Sequence, residues 1–291
     1  MNRFRVLQNR LRYLGLIVLV SFLLMSCATV PITGRSQLNF IPDSEMLSMS
    51  FEQYDQFLQE NKLSNNHQQT QMVKTVGARV QHAVEQYFAE HNMPQQLEGY
   101  EWEFNLVESK DVNAWCMPGG KVVVYTGILP LTQDETGLAV VMGHEIAHAV
   151  AKHGSERMSQ ALLFQLGGMA LEEALKNKPE QTQEIWMTAF GLGAQLGVLL
   201  PFSRTHESEA DRLGLIFMAM AGYDPNTSVA FWERMAQEGG AKPPEFLSTH
   251  PSDQTRIRQI EAELPEALQY YQPAQSDNPA QNPKPGFRRR Q

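Results

Sequence analysis

Cysteine is almost absent: Cys27 and Cys116 are the two in 291 residues. So few exclude a disulfide framework. Cys116 is left as either a buried thiol or the partner in an intermolecular bond. Basic residues are short as well, 24 lysines and arginines against 32 acids, for a formal net charge of −8. That balance argues against nucleic acid as a partner. Apolar runs of bilayer length are also missing, since a span needs about 20 predominantly apolar residues. The run from Tyr13 to Met25 falls short, and Glu172, Glu173, Lys176 and Lys178 interrupt the later Leu-, Met- and Gly-rich stretches.

Histidine numbers only eight, and two of them stand in Gly143-His144-Glu145-Ile146-Ala147-His148, an HExxH motif. Residues i and i+4 of a helix share a face, so His144 and His148 can point at one metal ion with Glu145 beside them. Two imidazoles and an adjacent carboxylate are what zinc-assisted peptide hydrolysis needs. Thr132-Gln133-Asp134-Glu135 reads as a capping box with Thr132 as N-cap. From Leu138 to Ala151 the helix is apolar almost all round and is expected to be buried. Unpaired His and Glu side chains there would be costly, and a metal supplies their partner. Gly154 reads as the helix stop.

Residues 1–26 carry Arg3, Arg5, Arg10 and Arg12 and no acid, followed by the short apolar run. That is the form of a secretion signal. It ends Leu24-Met25-Ser26-Cys27, which resembles a bacterial lipoprotein box. The resemblance makes Cys27 the lipidated first residue of the mature chain, the alternative being an uncleaved anchor. Ala28 stands where an inner-membrane retention signal would place Asp, which favours the outer membrane, periplasmic side. Removing 1–26 takes four arginines and makes the remainder still more acidic. What is left suits one or two compact domains.

Residues 27–42 read as an extended tether, broken by Pro31, Gly34 and Pro42. Helices are expected at about 43–60 and 67–90, the second carrying Val73, Val76, Val80, Ala83, Val84 and Tyr87 at helical spacing. His67, His82 and His91 fall on the solvent side of this pattern. Trp102, Phe104 and Leu106 alternate with polar neighbours as in a half-buried strand, and Lys121–Tyr125 is a β-branched strand. Together they predict a small antiparallel sheet beside the HExxH helix. Lys121–Tyr125 is either an edge that holds extended substrate by backbone pairing or a cover for the helix. The stretches 155–176 and 181–200 predict a helical hairpin over that helix. Its glycines serve either a mobile lid or close packing.

A zinc site built on His144 and His148 lacks a third protein ligand. A His six residues after His148 is one solution, but that position is Gly154. A Glu on a later helix is the other. Glu207 fits, with Asp211 one turn on along the same face, placed to accept from a ligand imidazole and fix its orientation. Glu209 lies about 200° round the helix from Glu207. His206 is a rival ligand. The helix stops at Gly222, before Asp224-Pro225.

HExxH followed by Glu207-Ser-Glu-Ala-Asp211 resembles the gluzincin peptidase family of HtpX and the CAAX prenyl endopeptidase. Asn113-Ala114, Pro118-Gly119-Gly120, Thr126-Gly127, Ala221-Gly222-Tyr223-Asp224-Pro225 and Ser248-Thr249-His250-Pro251-Ser252 match it too. The chain is most similar to the short periplasmic lipoprotein branch, LoiP-like, without transmembrane helices or a helical-repeat extension. The resemblance implies an α+β, mostly α, zincin-like fold over 43–271. It also implies one Zn2+ held by His144, His148 and Glu207, with Glu145 as general base. Asn113 matches a residue that contacts substrate near the scissile bond. His250 matches one that either stabilises the oxyanion or caps the zinc at rest. Unfolded or damaged envelope proteins are the implied substrates, and other envelope proteins the implied partners. A different class, a chaperone-like lipoprotein whose peptidase site stays capped, is carried beside it. Ser252 is the expected N-cap of a last helical segment over 253–271, broken at Pro265. The Pro-, Gln- and Arg-rich 272–291 is expected to be a disordered tail.

Overall fold

A computed structural model of the chain describes residues 27–30, 33–178, 180–194, 200–238, 245–250 and 254–273. The leader 1–26, the Ser252 cap and the tail from 274 lie outside them. The described chain runs β1 (Cys27–Thr29), β2 (Ser36–Leu38), α1 (Asp43–Glu60), α2 (His67–Glu90), β3 (Glu103–Val107), β4 (Ala114–Met117) and β5 (Lys121–Tyr125). Helices α3 (Leu129–Thr132), α4 (Glu135–Val150), α5 (His153–Leu175), α6 (Glu180–Ala194) and α7 (Leu200–Met220) follow. The described chain closes with α8 (Thr227–Glu238), α9 (Glu245–Thr249) and α10 (Gln254–Ala267). The architecture is α+β and mostly α.

The sheet departs from the antiparallel expectation. Its order is β3-β5-β4, with β3 parallel to β5 and β4 antiparallel to it. Lys121–Tyr125 is therefore the central strand, which rules out the substrate-holding edge, one of the two roles open to it; β3 and β4 are the edges. The near-continuous apolar run of β5 is what a strand buried on both faces requires. Val123 faces Tyr54 of α1 and Val107, while Val122 and Val124 join the main core with Phe104 and Leu106. Gly119 and Gly120, at φ 89° and 82°, make the left-handed turn that joins β4 to β5.

The expected tether is not simply extended. β1 and β2 pair as an antiparallel hairpin, Val30 is buried in the main core, and the Phe40 amide donates to Ser159 Oγ of α5 at 3.0 Å. Helix α2 starts at an Asn66 cap, whose side chain accepts from the Gln69 amide. It buries its valine face against β3 and α4, with Gly77 giving way to the Phe104 ring.

The HExxH helix begins differently from the expected capping box. Thr132 closes α3, its hydroxyl donating to the Leu129 carbonyl, and Asp134 is the cap, accepting from the Gly137 amide at 2.9 Å. From Gly137 to Val150 every residue of α4 is buried. The helix ends before Gly154: Lys152, at φ 59°, turns the chain left-handed and α5 starts at His153. At the far end α10 continues through Pro265 instead of breaking there. Its ring sits late in the helix, where the displaced hydrogen bond is a single one.

The hairpin of α5 and α6 closes through Phe164 and Phe190, but leaves Leu162, Leu163, Leu166, Met169 and Trp186 exposed. No described helix is long and apolar enough to cross a membrane.

Candidate metal centre and active site

Helix α4 crosses α7 so closely that a β-carbon on Gly143 would stand 2.9 Å from the Gly214 carbonyl oxygen. This backbone contact sets the HExxH face against Glu207 and Asp211. His144 Nε2 and His148 Nε2 are 3.1 Å apart. Glu207 Oε1 is 3.3 Å from His148 Nε2, and Oε2 is 3.4 Å from His144 Nε2. His250 closes the group, with Nδ1 3.1 Å from His144 Nε2 and 2.9 Å from Glu207 Oε2. All four residues are buried, and their donor atoms lie within 4.8 Å of one another.

This spacing fits one zinc ion. Zn–N and Zn–O bonds of about 2.0–2.1 Å at tetrahedral angles separate neighbouring donors by about 3.3–3.4 Å. Two imidazole nitrogens facing each other with a carboxylate between them are also the donor set zinc prefers. Glu145 stands beside the group, with Oε1 3.4 Å from His250 Nε2, buried and without a hydrogen-bond partner among the described residues.

A supporting layer fixes the rings. Asp211 Oδ1 lies 3.0 Å from His144 Nδ1, so that nitrogen carries the proton and Nε2 is free to bind metal. Arg256 of α10 donates to both Asp211 oxygens at 2.8 Å and lies 3.6 Å above the Trp232 ring. It also reaches Glu207 Oε2 at 3.3 Å. On the other side His153 Nδ1 is 2.8 Å from His148 Nδ1. His206, the rival ligand, is turned away: its Nε2 meets Glu156 Oε2 at 2.8 Å.

Protonation follows the partners. Burial alone would depress His144, but the hydrogen bonds to Asp211 and Glu207 win and raise it to about 9. Metal binding there must displace a proton. Burial holds His148 well below its ordinary value. Glu207 is lowered although burial opposes it, because three histidines bond to it. Asp211 is lowered against its burial by Arg256 and His144. Glu145 moves the other way, raised by burial, which suits a carboxyl that must take up and return a proton. Burial pushes His153 down to about 4, so that ring is neutral.

The structure brings together His144, Glu145, His148, Glu207, Asp211 and His250. Asn113 bonds within its own sheet, its Oδ1 accepting from the Ala114 amide and its carbonyl from the Tyr125 amide. Its neighbour Val112 links it to the His250 segment, accepting from the Phe246 amide at 3.1 Å. Cys116, half-buried on β4, is a free thiol pushed up by burial and by the nearby Glu145 charge. The side chain of Cys27 lies outside the described part. Arg256, Glu156, Arg35 and His153 were not singled out by the sequence. His153 alone had a local signal, its nearness to the motif.

The profile of Peptidase family M48 matches residues 75–264. The chain is 42% identical over 173 residues to the mitochondrial metalloendopeptidase OMA1 of Schizosaccharomyces pombe, covering 57% of this chain and 48% of that protein. It is 30% identical over 285 residues to the human mitochondrial metalloendopeptidase OMA1, covering 94% of this chain and 53% of that one. To the beta-barrel assembly-enhancing protease of Yersinia pestis it is 31% identical over 162 residues, covering 54% of this chain and 33% of that protein. The chain thus spans about half or less of the length of these relatives. With an HExxH helix, a downstream Glu and a histidine converging on one metal position inside the matched segment, the chain belongs to Peptidase family M48.

Proposed function

We propose that this chain is a zinc-dependent endopeptidase of the bacterial envelope, held by lipid on Cys27 to the periplasmic side of the outer membrane. Its substrates in this reading are unfolded or damaged envelope proteins. The observation that carries the enzymatic part is the buried convergence of His144, His148 and Glu207 beside the Glu145 carboxyl. The anchoring rests on the leader pattern and Leu24-Met25-Ser26-Cys27. The name of the Yersinia pestis relative suits an envelope setting.

Zinc held by these ligands supplies a Lewis acid that lowers the pKa of water and polarises a peptide carbonyl. Asp211 and Arg256 keep the His144 ring aimed. Glu145, whose burial raises its pKa, takes the proton of the attacking water and returns it to the leaving amine. The substrate backbone pairs along the outer edge of β4, which no described strand occupies and which ends in the turn at Pro118. Asn113, at the start of that edge, contacts the substrate near the scissile bond.

A second reading, a chaperone-like lipoprotein with a capped site, is favoured by one observation. His250 Nδ1 stands at the fourth donor position while its Nε2 is 3.4 Å from Glu145 Oε1. Unfolded casein separates the readings. The endopeptidase cleaves it, and loses that activity with a zinc chelator and regains it on adding zinc. Binding of casein with no zinc-dependent cleavage, also in His250→Ala, would establish the chaperone-like reading.

A further inference from the structure

Behind the metal ligand His148 lies a second buried group that the hydrolytic reading does not use. His153 is fully buried. Its Nδ1 meets His148 Nδ1 at 2.8 Å, and its Nε2 meets Glu209 Oε2 at 3.2 Å. The His206 ring stacks on it, with centroids 4.3 Å apart and planes 16° from parallel. Glu209 in turn accepts from Thr33 and from Arg35 Nε, the latter at 2.8 Å. The same guanidinium donates twice to Glu156, at 2.7 and 3.0 Å, and Glu156 also pairs with His206. Thr33 and Arg35 belong to the turn and second strand side of the β1–β2 hairpin.

Metal binding by His148 fixes the hydrogen-bond directions, because its Nε2 must keep the lone pair and its Nδ1 therefore donates to His153 Nδ1. A carboxylate only accepts, so His153 Nε2 carries the proton toward Glu209. That leaves Nδ1 of the neutral ring with a lone pair. His148 Nδ1 donates to it, with the His148 lone pair on Nε2, the atom that faces His144 and Glu207. Histidine ligands ordinarily receive this support from a carboxylate or a carbonyl. Here a second histidine passes it on from Glu209. Arg35 is the cation that holds Glu209 and Glu156 in place, bidentate on one and single on the other.

We propose that His153 is a positioning residue for the metal ligand His148, and that Arg35 of the N-terminal hairpin, acting through Glu209, holds it there. Docking of the hairpin against α5 and α7 thereby sets how tightly the site binds metal. This rests on the reading of His144, His148 and Glu207 as zinc ligands.

The test uses the full-length chain in detergent, stripped of metal, with zinc added against a competing chelator. Loss of support of this kind weakens metal binding about 10- to 100-fold. His153→Phe, which keeps the ring volume without an acceptor, is expected in that range. Arg35→Gln is expected to weaken binding at least about threefold. His153→Asn, whose carbonyl oxygen stands near the Nδ1 position, is expected to recover much of the loss. The visible spectrum of the cobalt(II)-loaded chain reports ligand geometry, and is expected to change in His153→Phe while the helical circular dichroism does not. Weakening below about threefold in either His153→Phe or Arg35→Gln overturns the proposal. Where His153→Phe does not fold, Arg35→Gln, altered at a partly exposed residue, decides by the same limit. A wild-type chain that takes up no zinc removes the zinc-ligand reading itself, and the proposal with it.

Discussion

Gly143 of α4 and Gly214 of α7 meet backbone to backbone: a β-carbon on Gly214 would stand 2.9 Å from the His144 nitrogen. The ligands come from these two helices, so this contact sets their separation. A methyl group at Gly214 has backbone, not a flexible side chain, in its way. Gly214→Ala is expected to cost about 1–3 kcal/mol of stability by overpacking. It is also expected to lower zinc content by moving Glu207 away from His144 and His148. Thermal unfolding and metal analysis of the same preparation check both. Full zinc with unchanged melting would show that the crossing relaxes without moving the ligands.

Glu145→Gln keeps the size of a side chain that bonds no metal in this arrangement. Zinc content is expected to stay near one equivalent, while casein turnover falls by about 10²–10⁴, the usual contribution of a positioned general base. Turnover close to wild type would remove that role from Glu145.

The ligand face was legible because helical spacing alone places His144 with His148 and Glu207 with Asp211. Their meeting across the Gly143–Gly214 contact is tertiary, and no local pattern encodes it. Position 153 shows why the surrounding layer was hidden. On an uninterrupted helix a residue five after His148 points about 140° away from it. The left-handed turn at Lys152 resets the direction and brings the two Nδ1 atoms to 2.8 Å. Arg256 and Arg35 are similarly invisible, since each reaches its carboxylates from a distant element. The mixed pairing of the sheet is hidden for a related reason. Alternation identifies strands, but parallel pairing of β3 with β5 depends on the path of the chain through β4 between them.

Cys27→Ala removes only the proposed lipid attachment. The variant is expected to cleave casein at the wild-type rate and to appear in the soluble fraction instead of the membrane fraction. Retention on membranes after a high-salt wash would point to another anchor. The exposed Leu166, Met169 and Trp186 of the α5–α6 hairpin would then be the place to look.

The brake reading of His250, which the sequence left open beside an oxyanion role, makes a prediction of its own. His250 Nδ1 is 2.9 Å from Glu207 Oε2 and its Nε2 faces Glu145, between the base and the metal position. If that placement holds the site closed for about nine-tenths of the time, freeing it raises the apparent rate up to about tenfold. His250→Ala is therefore expected to cleave casein faster than wild type at saturating zinc, with zinc retained by the other three ligands. A fall of about 10²–10³ with zinc retained would instead give His250 the oxyanion role.

Glu263 of α10 offers a pH test of the layer behind Asp211. Its Oε2 is buried without a hydrogen-bond partner among the described residues. Burial, then the Asp211 charge, raise its pKa from 4.5 to about 8, with Arg212 opposing. Below about pH 4.5 the carboxyl is protonated in both folded and unfolded chains, and its stabilising effect relative to the ionised form is fully present. Between 4.5 and 8 the folded chain keeps a proton that the unfolded chain releases, so stability falls as pH rises. Above 8 the loss is complete, because a charged Glu263 then faces Asp211 and Glu266. Gln is neutral throughout. The melting temperature of Glu263→Gln minus that of wild type is thus expected to be smallest near pH 4.5 and to grow through the window. At pH 9 the gain should reach about 2 °C or more, since 1 kcal/mol moves a domain of this size by about 2–4 °C. Melting curves of both proteins, each saturated with zinc, measure the difference at every pH. An offset that stays constant from pH 4.5 to 9 would mean that Glu263 ionises as an ordinary surface carboxylate.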